Sequence, residues 1–495
     1  MKTKSDIQSY FEDKVIFVTG ATGFLGKLIV EKLLRTCNVR KLYITKRPIK
    51  NKRRQFEDVE QYFDNAIFDR LKEERNSALK KVAVVVFDLT MPSLGMSEAD
   101  LESLKEEVNV VIHAAADVRF NASLKAIACT NIRGTQRILS LCTKLKHLTS
   151  LVYVSTAYSN CVKPDVGDEL FHDPPLKAHE LLTIVEALDD ETLEAITPSI
   201  LGAWPNTYTF SKCIAEDCIK SYSGQLPVVI IRPSIVVNTA SSPVPGWIDS
   251  VLSVVGIFIG TNIGLIRTYL YYSENITNIV PADYVINCLL AAATKIPQDG
   301  HIPVYNYVSS LRNPITWKEC EIYGRHHAKK VPTPKTVWHK FLIESHNKYS
   351  FYIFNFLLHM VPAYVADFFM WCLGKKQKCV KGYNKISDLL MLTSYFAKNQ
   401  WIFDDANTQI LWNSLNETDQ ALYPFDVAKI DWHSFFELLT LGCRKYIMKE
   451  SMDTIPEGRK KVFILKISHY TLVTVITLIV FYILKCLFGF IYNAF

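Results

Sequence analysis

The sequence predicts an α/β protein: a doubly wound parallel sheet, then a mostly helical part, then an apolar tail. Three observations predict it. Short, almost wholly apolar runs recur between amphipathic stretches, the pattern of parallel strands covered on both faces. The first run opens onto glycines at three-residue intervals. The alternation fades near residue 310, and residues 467–484 form an uncharged apolar run if His469 is neutral.

Composition bounds the rest. The chain has 495 residues, 49% hydrophobic and 21% charged, enough for two large cores and far from a disordered composition. A formal charge of +7 suits anionic ligands or an anionic membrane surface. The basic residues are scattered, which argues against nucleic acid. Twelve cysteines without a C-x-x-C pair read as reduced thiols facing a cytosol, neither a disulfide frame nor a zinc site, and no metal is expected. The opening MKTKSDIQSYFEDK has no apolar signal core, so no cleaved secretory peptide is expected.

The elements follow in order. Residues 15–18 read as a buried strand, and Thr19-Gly20-Ala21-Thr22-Gly23-Phe24-Leu25-Gly26 turns it into a helix. In such a unit Gly20 permits the tight turn, Gly23 lets the backbone approach a pyrophosphate, and Gly26 lets the helix lie on the strand. Free N–H groups at the helix start face the phosphates. The unit is a Rossmann-type dinucleotide fingerprint, with Thr19, Gly20, Thr22, Gly23, Phe24, Leu25 and Gly26 as candidate contacts. Residues 41–45 form the second strand, ending in Lys46-Arg47-Pro48. NAD-selective sites place a carboxylate there. A basic residue selects NADP, with Arg47 the candidate for the 2′-phosphate and the cluster Lys50–Arg54 mostly solvated.

A third buried strand is expected at 81–87, ending in Asp88, which either accepts from the adenine amino group or caps a turn. A fourth, at 109–113, ends in Ala114-Ala115-Ala116, small residues that let a flat cofactor pass. A helix is expected through 127–141, with Asn131 out of place inside it. The fifth strand, 151–154, delivers Ser155 and Thr156 to the carboxyl end of the sheet, where open α/β sheets bind ligands. Residues 160–205 read as an insertion around one short helix near 181–196. The next helix carries Tyr208 and Lys212 four apart on one face. A strand at 228–231 runs into Pro233 and Ser234, the last cofactor candidates, and the alternation continues to about residue 308.

Tyr208 and Lys212, with a hydroxyl from Ser155 or Thr156, make a hydride-transfer site. A carbonyl that takes up hydride becomes an alkoxide and needs a proton. Tyrosine's usual pKa of about 10 is too high for that exchange at neutral pH. A nearby ammonium lowers it, and the same lysine can hold the nicotinamide ribose. The Ser or Thr hydroxyl polarises the carbonyl. A second Tyr-x-x-x-Lys, Tyr10 to Lys14, precedes the first strand and cannot reach the strand ends. Cys213 adjoins Lys212 but points about 100° round the helix, so it reads as structural. If the substrate is a thioester, direct hydride attack is then expected rather than a covalent acyl-enzyme.

Beyond residue 310 no clear parallel strand is expected. Residues 351–373 are very apolar, but Pro362 is expected to break a span there. A buried helical hairpin and an interfacial or acyl-lining role stay open. In the tail, Arg459-Lys460-Lys461 precedes the apolar run 467–484, which at about 1.5 Å per residue nearly spans a hydrocarbon core. A membrane anchor is expected there, with the body in the cytosol. The domain plan is 1–310, 311–458 and 459–495.

The chain resembles the alcohol-forming fatty acyl-CoA reductases, of the extended short-chain dehydrogenase/reductase type. The first part carries VTGATGFLGK, IHAAADVRFN, VYVSTAYSN, PNTYTFSKCIAE, IRPSIV, PGWIDS and LRNPITW. The second carries LTSYFAKNQWIFDDAN, FDVAKIDWHSF and GCRKYIMKE, which sugar-nucleotide epimerases do not share. The resemblance implies long-chain fatty acyl-CoA as substrate, NADPH as donor and a primary fatty alcohol as product. A first hydride gives a thiohemiacetal that loses CoA, and a second reduces the aldehyde. It implies Tyr208, Lys212 and Ser155 or Thr156 as catalytic positions, on an endoplasmic reticulum or peroxisome membrane. A membrane-bound sterol-type dehydrogenase or epimerase shares the first part, and a lipid-binding homologue without catalysis shares the fold.

Overall fold

The computed structural model describes residues 4–48, 58–163, 168–252, 254–297 and 299–494. Lys50–Arg54 lie outside them. The chain forms two compact units, each built from separated stretches. One comprises 1–249, 275–316 and 399–439, the other 250–274, 317–398 and 440–495. The sequence plan of contiguous domains differs because 399–439 returns to the first unit. The Tyr307 hydroxyl donates to the Phe425 carbonyl at 2.8 Å, and Asn313 donates to Ile430 at 2.8 Å. Glu169 accepts from the backbone N–H groups of Asn306 and Asn407.

The first unit holds a seven-stranded parallel sheet: β1 (Val15–Thr19), β2 (Lys41–Lys46), β3 (Val82–Val86), β4 (Val110–His113), β5 (Ser150–Val154), β6 (Val228–Pro233) and β7 (Val304–Tyr307). Their order is β7-β6-β5-β4-β1-β2-β3. The chain reverses direction across the sheet between β1 and β4, the crevice in which such sheets bind ligands. β1, β4, β5 and β6 are buried throughout, as continuous apolar strands must be. The expected buried strand at 81–87 is an edge strand. With one neighbour only, it leaves three of its residues half-buried and Val86 exposed.

Helix α1 (Phe24–Thr36) follows the glycine turn. The expected helix through 127–141 is interrupted: a π turn spans Ala128–Arg133 before α2 (Gly134–Cys142). The insertion holds two helices instead of one, α3 (Ala178–Ala187) and α4 (Asp190–Leu201). The break falls where Asp189 accepts from the Thr192 N–H and starts a new helix. Helix α5 (Thr207–Lys220) is capped by Asn206, and α6 (Ala282–Ala293) is almost entirely buried.

The second unit does contain a parallel pair, Thr268–Leu270 with Ile343–Ser345, pinned by a 3.0 Å contact between the Thr268 and Ser345 hydroxyls. Its helix α7 (Lys348–Cys372) continues through Pro362. A π turn at Phe356–Met360 precedes the proline. The Leu358 carbonyl, which Pro362 cannot satisfy, accepts from the Arg267 guanidinium at 2.6 Å. Nor is the segment a buried hairpin, since most of its side chains are exposed. After α8 (Cys379–Lys398) comes α9 (Ile455–Ala494). Its start is held by Lys461, which donates to the Pro334 carbonyl at 2.7 Å. Further along, His469 stacks on His339 and Phe341. Among the described residues two helices are long and apolar enough to cross a membrane, Lys348–Cys372 and Met452–Gly489.

Candidate active site

Parallel register builds the floor of the site. Thr19 pairs with His113, and His113 with Tyr153, so three polar side chains stand in a row at the carboxyl ends of β1, β4 and β5. The row is wired together. Thr19 Oγ1 lies 2.8 Å from His113 Nδ1, and His113 Nε2 lies 3.2 Å from Thr135 Oγ1. Thr135 in turn meets the Tyr153 hydroxyl. Burial, with the Lys212 charge, pushes His113 down to about 3, so it stays neutral and serves as a bridge. The Lys212 ammonium lies over the Tyr153 ring, 4.7 Å from its centroid, and donates to the Val154 carbonyl at 2.7 Å. Burial brings Lys212 down to about 7, although Glu216 one turn on supports its charge.

Tyr208 and Lys212 share the face of α5 that looks onto β5. Tyr208 is half-buried, stacked on Phe120 and hydrogen-bonded to Thr156. Burial raises its pKa, with Thr156 in opposition. The expected lowering by the ammonium is absent from this arrangement, because Lys212 spends its bonds on Val154 and Tyr153. Ser155 and Thr156 are separated. The Ser155 hydroxyl donates to Glu216, which is paired with Arg232 at 2.6 Å in the core. Arg232 also donates to the Leu170 carbonyl at 2.8 Å, tying the insertion to this pair. Cys213 donates to Asn160 at 3.1 Å, buried and with its thiol pKa raised.

The glycine turn fits a dinucleotide. Gly20 has φ +75°, and a Cβ there would stand 2.8 Å from the Ala115 nitrogen. A Cβ on Gly26 would stand 2.1 Å from the Gly20 carbonyl oxygen. Gly23 starts α1 with no side-chain cap, so the first N–H groups of the helix could take an anion. The Thr19 side chain lies beneath the turn, accepting from the Ala115 N–H at 3.2 Å, so it shapes the loop from inside. Phe24 stacks on Trp247 at 5.3 Å, while Thr22 and Leu25 stay half-buried at the turn. Asp88 Oδ1 accepts from the Thr90 N–H at 2.9 Å, the turn-capping alternative. Ser234 donates its N–H to Tyr307 at 3.1 Å, directly after Pro233 closes β6.

Some of the wiring is absent from the sequence reading. Asn131, the misfit amide, lies in the π turn. It accepts from the Asp117 N–H at 2.8 Å and donates to Ser211 Oγ at 2.9 Å, joining the strand-end loop to α5. Its poor helix propensity was the available signal. Arg47 is exposed at the end of β2 and acts on the carboxylate of Asp117. Burial raises Asp117, but bonds from Arg119 and the charge of Arg47 hold it below the usual range. The decoy pair lies at the opposite end of the sheet. Tyr10 meets Thr149, just before β5, at 3.1 Å, with Lys14 over its ring.

Comparison with known proteins agrees with this architecture. A family model described as male sterility protein matches residues 18–289, and a second of the same description matches 358–450. Fatty acyl-CoA reductase wat of Drosophila melanogaster is 36% identical over 487 residues, 98% of this chain and 93% of that protein. Fatty acyl-CoA reductase 1 of Rattus norvegicus is 33% identical over 477 residues, 96% and 92% of the two chains. Two solved reductase domains share the fold. The terminal R domain of the myxalamid pathway has a TM-score of 0.58 at 19% identity, covering 87% of this chain and 90% of its own. The reductase domain of a Mycobacterium tuberculosis non-ribosomal peptide synthetase has 0.55 at 16%, covering 89% and 96%. By the extent and level of these matches, the chain belongs to the fatty acyl-CoA reductase family.

Proposed function

We propose that this protein reduces long-chain fatty acyl-CoA to the primary fatty alcohol, using NADPH and releasing CoA. What carries the reading is a likeness to proteins named fatty acyl-CoA reductases that runs through nearly the whole chain. Thr156, Tyr208 and Lys212 supply carbonyl-reduction chemistry beside the glycine turn.

When bound, the nicotinamide cofactor supplies the hydride that each carbonyl takes up. Gly20, Thr22, Gly23, Leu25 and Gly26 would hold its pyrophosphate, with Ala114, Ala115, Pro233 and Ser234 along its path and Lys212 at the ribose. Arg47 would hold a 2′-phosphate. Within reach of its charge Arg119 and Asp117 pair at 2.6 Å, so two guanidiniums stand against one carboxylate, which favours NADPH. Thr156 and Tyr208 donate to the substrate's carbonyl oxygen as negative charge grows on it. After the first hydride the C–S bond breaks, CoA leaves as thiolate, and an aldehyde remains. After the second, Tyr208 gives its proton to the alkoxide and the alcohol forms. The ammonium of Lys212, held by the Val154 carbonyl at 2.7 Å, would keep its place at the ribose through both reductions. Arg459, Lys460 and Lys461 precede an α9 segment that crosses the bilayer at about 467–484, with the catalytic unit in the cytosol, on an internal membrane such as the endoplasmic reticulum or peroxisome.

The test is full-length protein in detergent with palmitoyl-CoA and either NADPH or NADH. Free thiol, cofactor oxidation and alcohol are measured, the last by gas chromatography. The expected result is alcohol formation, two NADPH oxidised per CoA freed, and a narrower NADPH preference in Arg47→Asp. Equal use of NADPH and NADH refutes the cofactor assignment. No CoA release refutes the reaction.

A further inference from the structure

Helix α7 has its polarity inside out. Phe351, Asn355, His359 and Ala363, four residues apart, form its buried stripe. Two of the four are polar, and they are fully engaged with protein. Asn355 Oδ1 meets His359 Nδ1 at 2.9 Å, and His359 Nε2 accepts the Arg267 N–H at 2.9 Å. The opposite face is apolar and more than half exposed at Ile353, Phe356, Leu357, Phe368, Phe369 and Trp371. An ordinary surface helix has the reverse arrangement. A contiguous exposed apolar face of this kind marks an interaction site.

The chemistry around the face names its partner. Directly after the helix come Lys375, Lys376, Lys378, Lys381 and Lys385, all exposed. The one acid between 348 and 385, Asp367, is consumed: its carboxylate accepts from the N–H groups of Lys378, Cys379 and Val380 and caps α8. The edge is therefore strongly cationic. An apolar aromatic face rimmed by lysines matches the boundary between acyl chains and anionic headgroups. A second copy of the chain would bring a like-charged edge against this one. A crossing orientation also fits badly. The Arg267 guanidinium rests on the Leu358 carbonyl near mid-helix, and a crossing would carry it to the bilayer centre.

We propose that α7 lies in the plane of an anionic bilayer, with its aromatic face among the upper acyl chains and the following lysines on the headgroups. It is an attachment separate from α9.

The experiment uses the full-length chain with the exposed Cys372 and Cys486 changed to Ser. Spin labels are placed singly at Ile353→Cys or Phe368→Cys, both exposed and outside the buried stripe. The protein is reconstituted in phosphatidylcholine vesicles with or without phosphatidylserine. Collision rates with oxygen and with an aqueous nickel chelate report depth. With phosphatidylserine, both labels should be shielded from nickel at similar depths, about 5–10 Å below the headgroups. Shielding should fall without phosphatidylserine, and likewise in a Lys375→Gln, Lys376→Gln, Lys378→Gln variant. Activity of each labelled protein reports that it is folded. Nickel access to both labels in every vesicle overturns the proposal. So does a depth difference of about 20 Å between the labels, which means a crossing helix. Lipid-independent shielding with strong spin–spin coupling overturns it too, since a second copy then covers the face.

Discussion

Ser155 and Thr156 are neighbours with different work, because successive residues of an extended chain point to opposite sides. Ser155 faces the Glu216–Arg232 pair in the core, and Thr156 faces Tyr208. Thr156→Val should therefore lower kcat by about 10²–10³, the loss of one oxyanion donor. Ser155→Ala should appear as about 1–3 kcal/mol of lost stability, with kcat within a few-fold. Steady-state kinetics and urea melts on both variants read this, and the reverse pattern exchanges the roles. Lys212 adds a pH dependence. Its free-enzyme pKa of about 7 means that kcat/KM should fall as pH rises through that value, because the ammonium is lost. Lys212→Arg stays charged and should flatten that limb at a lower rate. A flat profile in the unaltered enzyme contradicts the role given to the lysine.

At the scale of elements, strands and glycine turn were legible because buried parallel strands are apolar runs and the turn has strict steric demands. Gly20 and Gly26 have no room for a Cβ, so their spacing carries structural information. What stayed hidden depends on register and neighbours. No local pattern tells that Thr19, His113 and Tyr153 fall in one row, that β3 is an edge, or that Asp117 falls within reach of the charge of Arg47. Pro362 misled for a similar reason: the carbonyl it leaves unpaired finds Arg267, which is distant in sequence. The buried row makes a prediction of its own. His113 titrates at about 3 in the folded state against 6.5 when exposed, so the unfolded chain binds its proton first. Stability should fall as pH drops from 6.5 toward 3, by at most about 1.4 kcal/mol per pH unit. His113→Asn should remove that part of the slope in urea titrations. An unchanged slope means the imidazole is charged when buried.

At the scale of the molecule, two units share one chain, and the second carries the apolar helices. Deleting residues 467–495 should let carbonate strip the protein from membranes. Binding to anionic vesicles at low salt should persist through α7, and salt should release it. Retention in carbonate-washed membranes contradicts the assignment of the crossing to α9. The central claim is that one tyrosine serves two successive reductions. Tyr208→Phe keeps the ring on Phe120 and removes only the hydroxyl, so NADPH binding should survive. The deciding measurement is alcohol formation by this variant from acyl-CoA and, separately, from free fatty aldehyde, with Tyr10→Phe as control. Both rates should fall by about 10²–10⁴ in kcat with little change in KM, while the control stays at the unaltered rate. A folded Tyr208→Phe enzyme that turns over either substrate at the normal rate contradicts the claim.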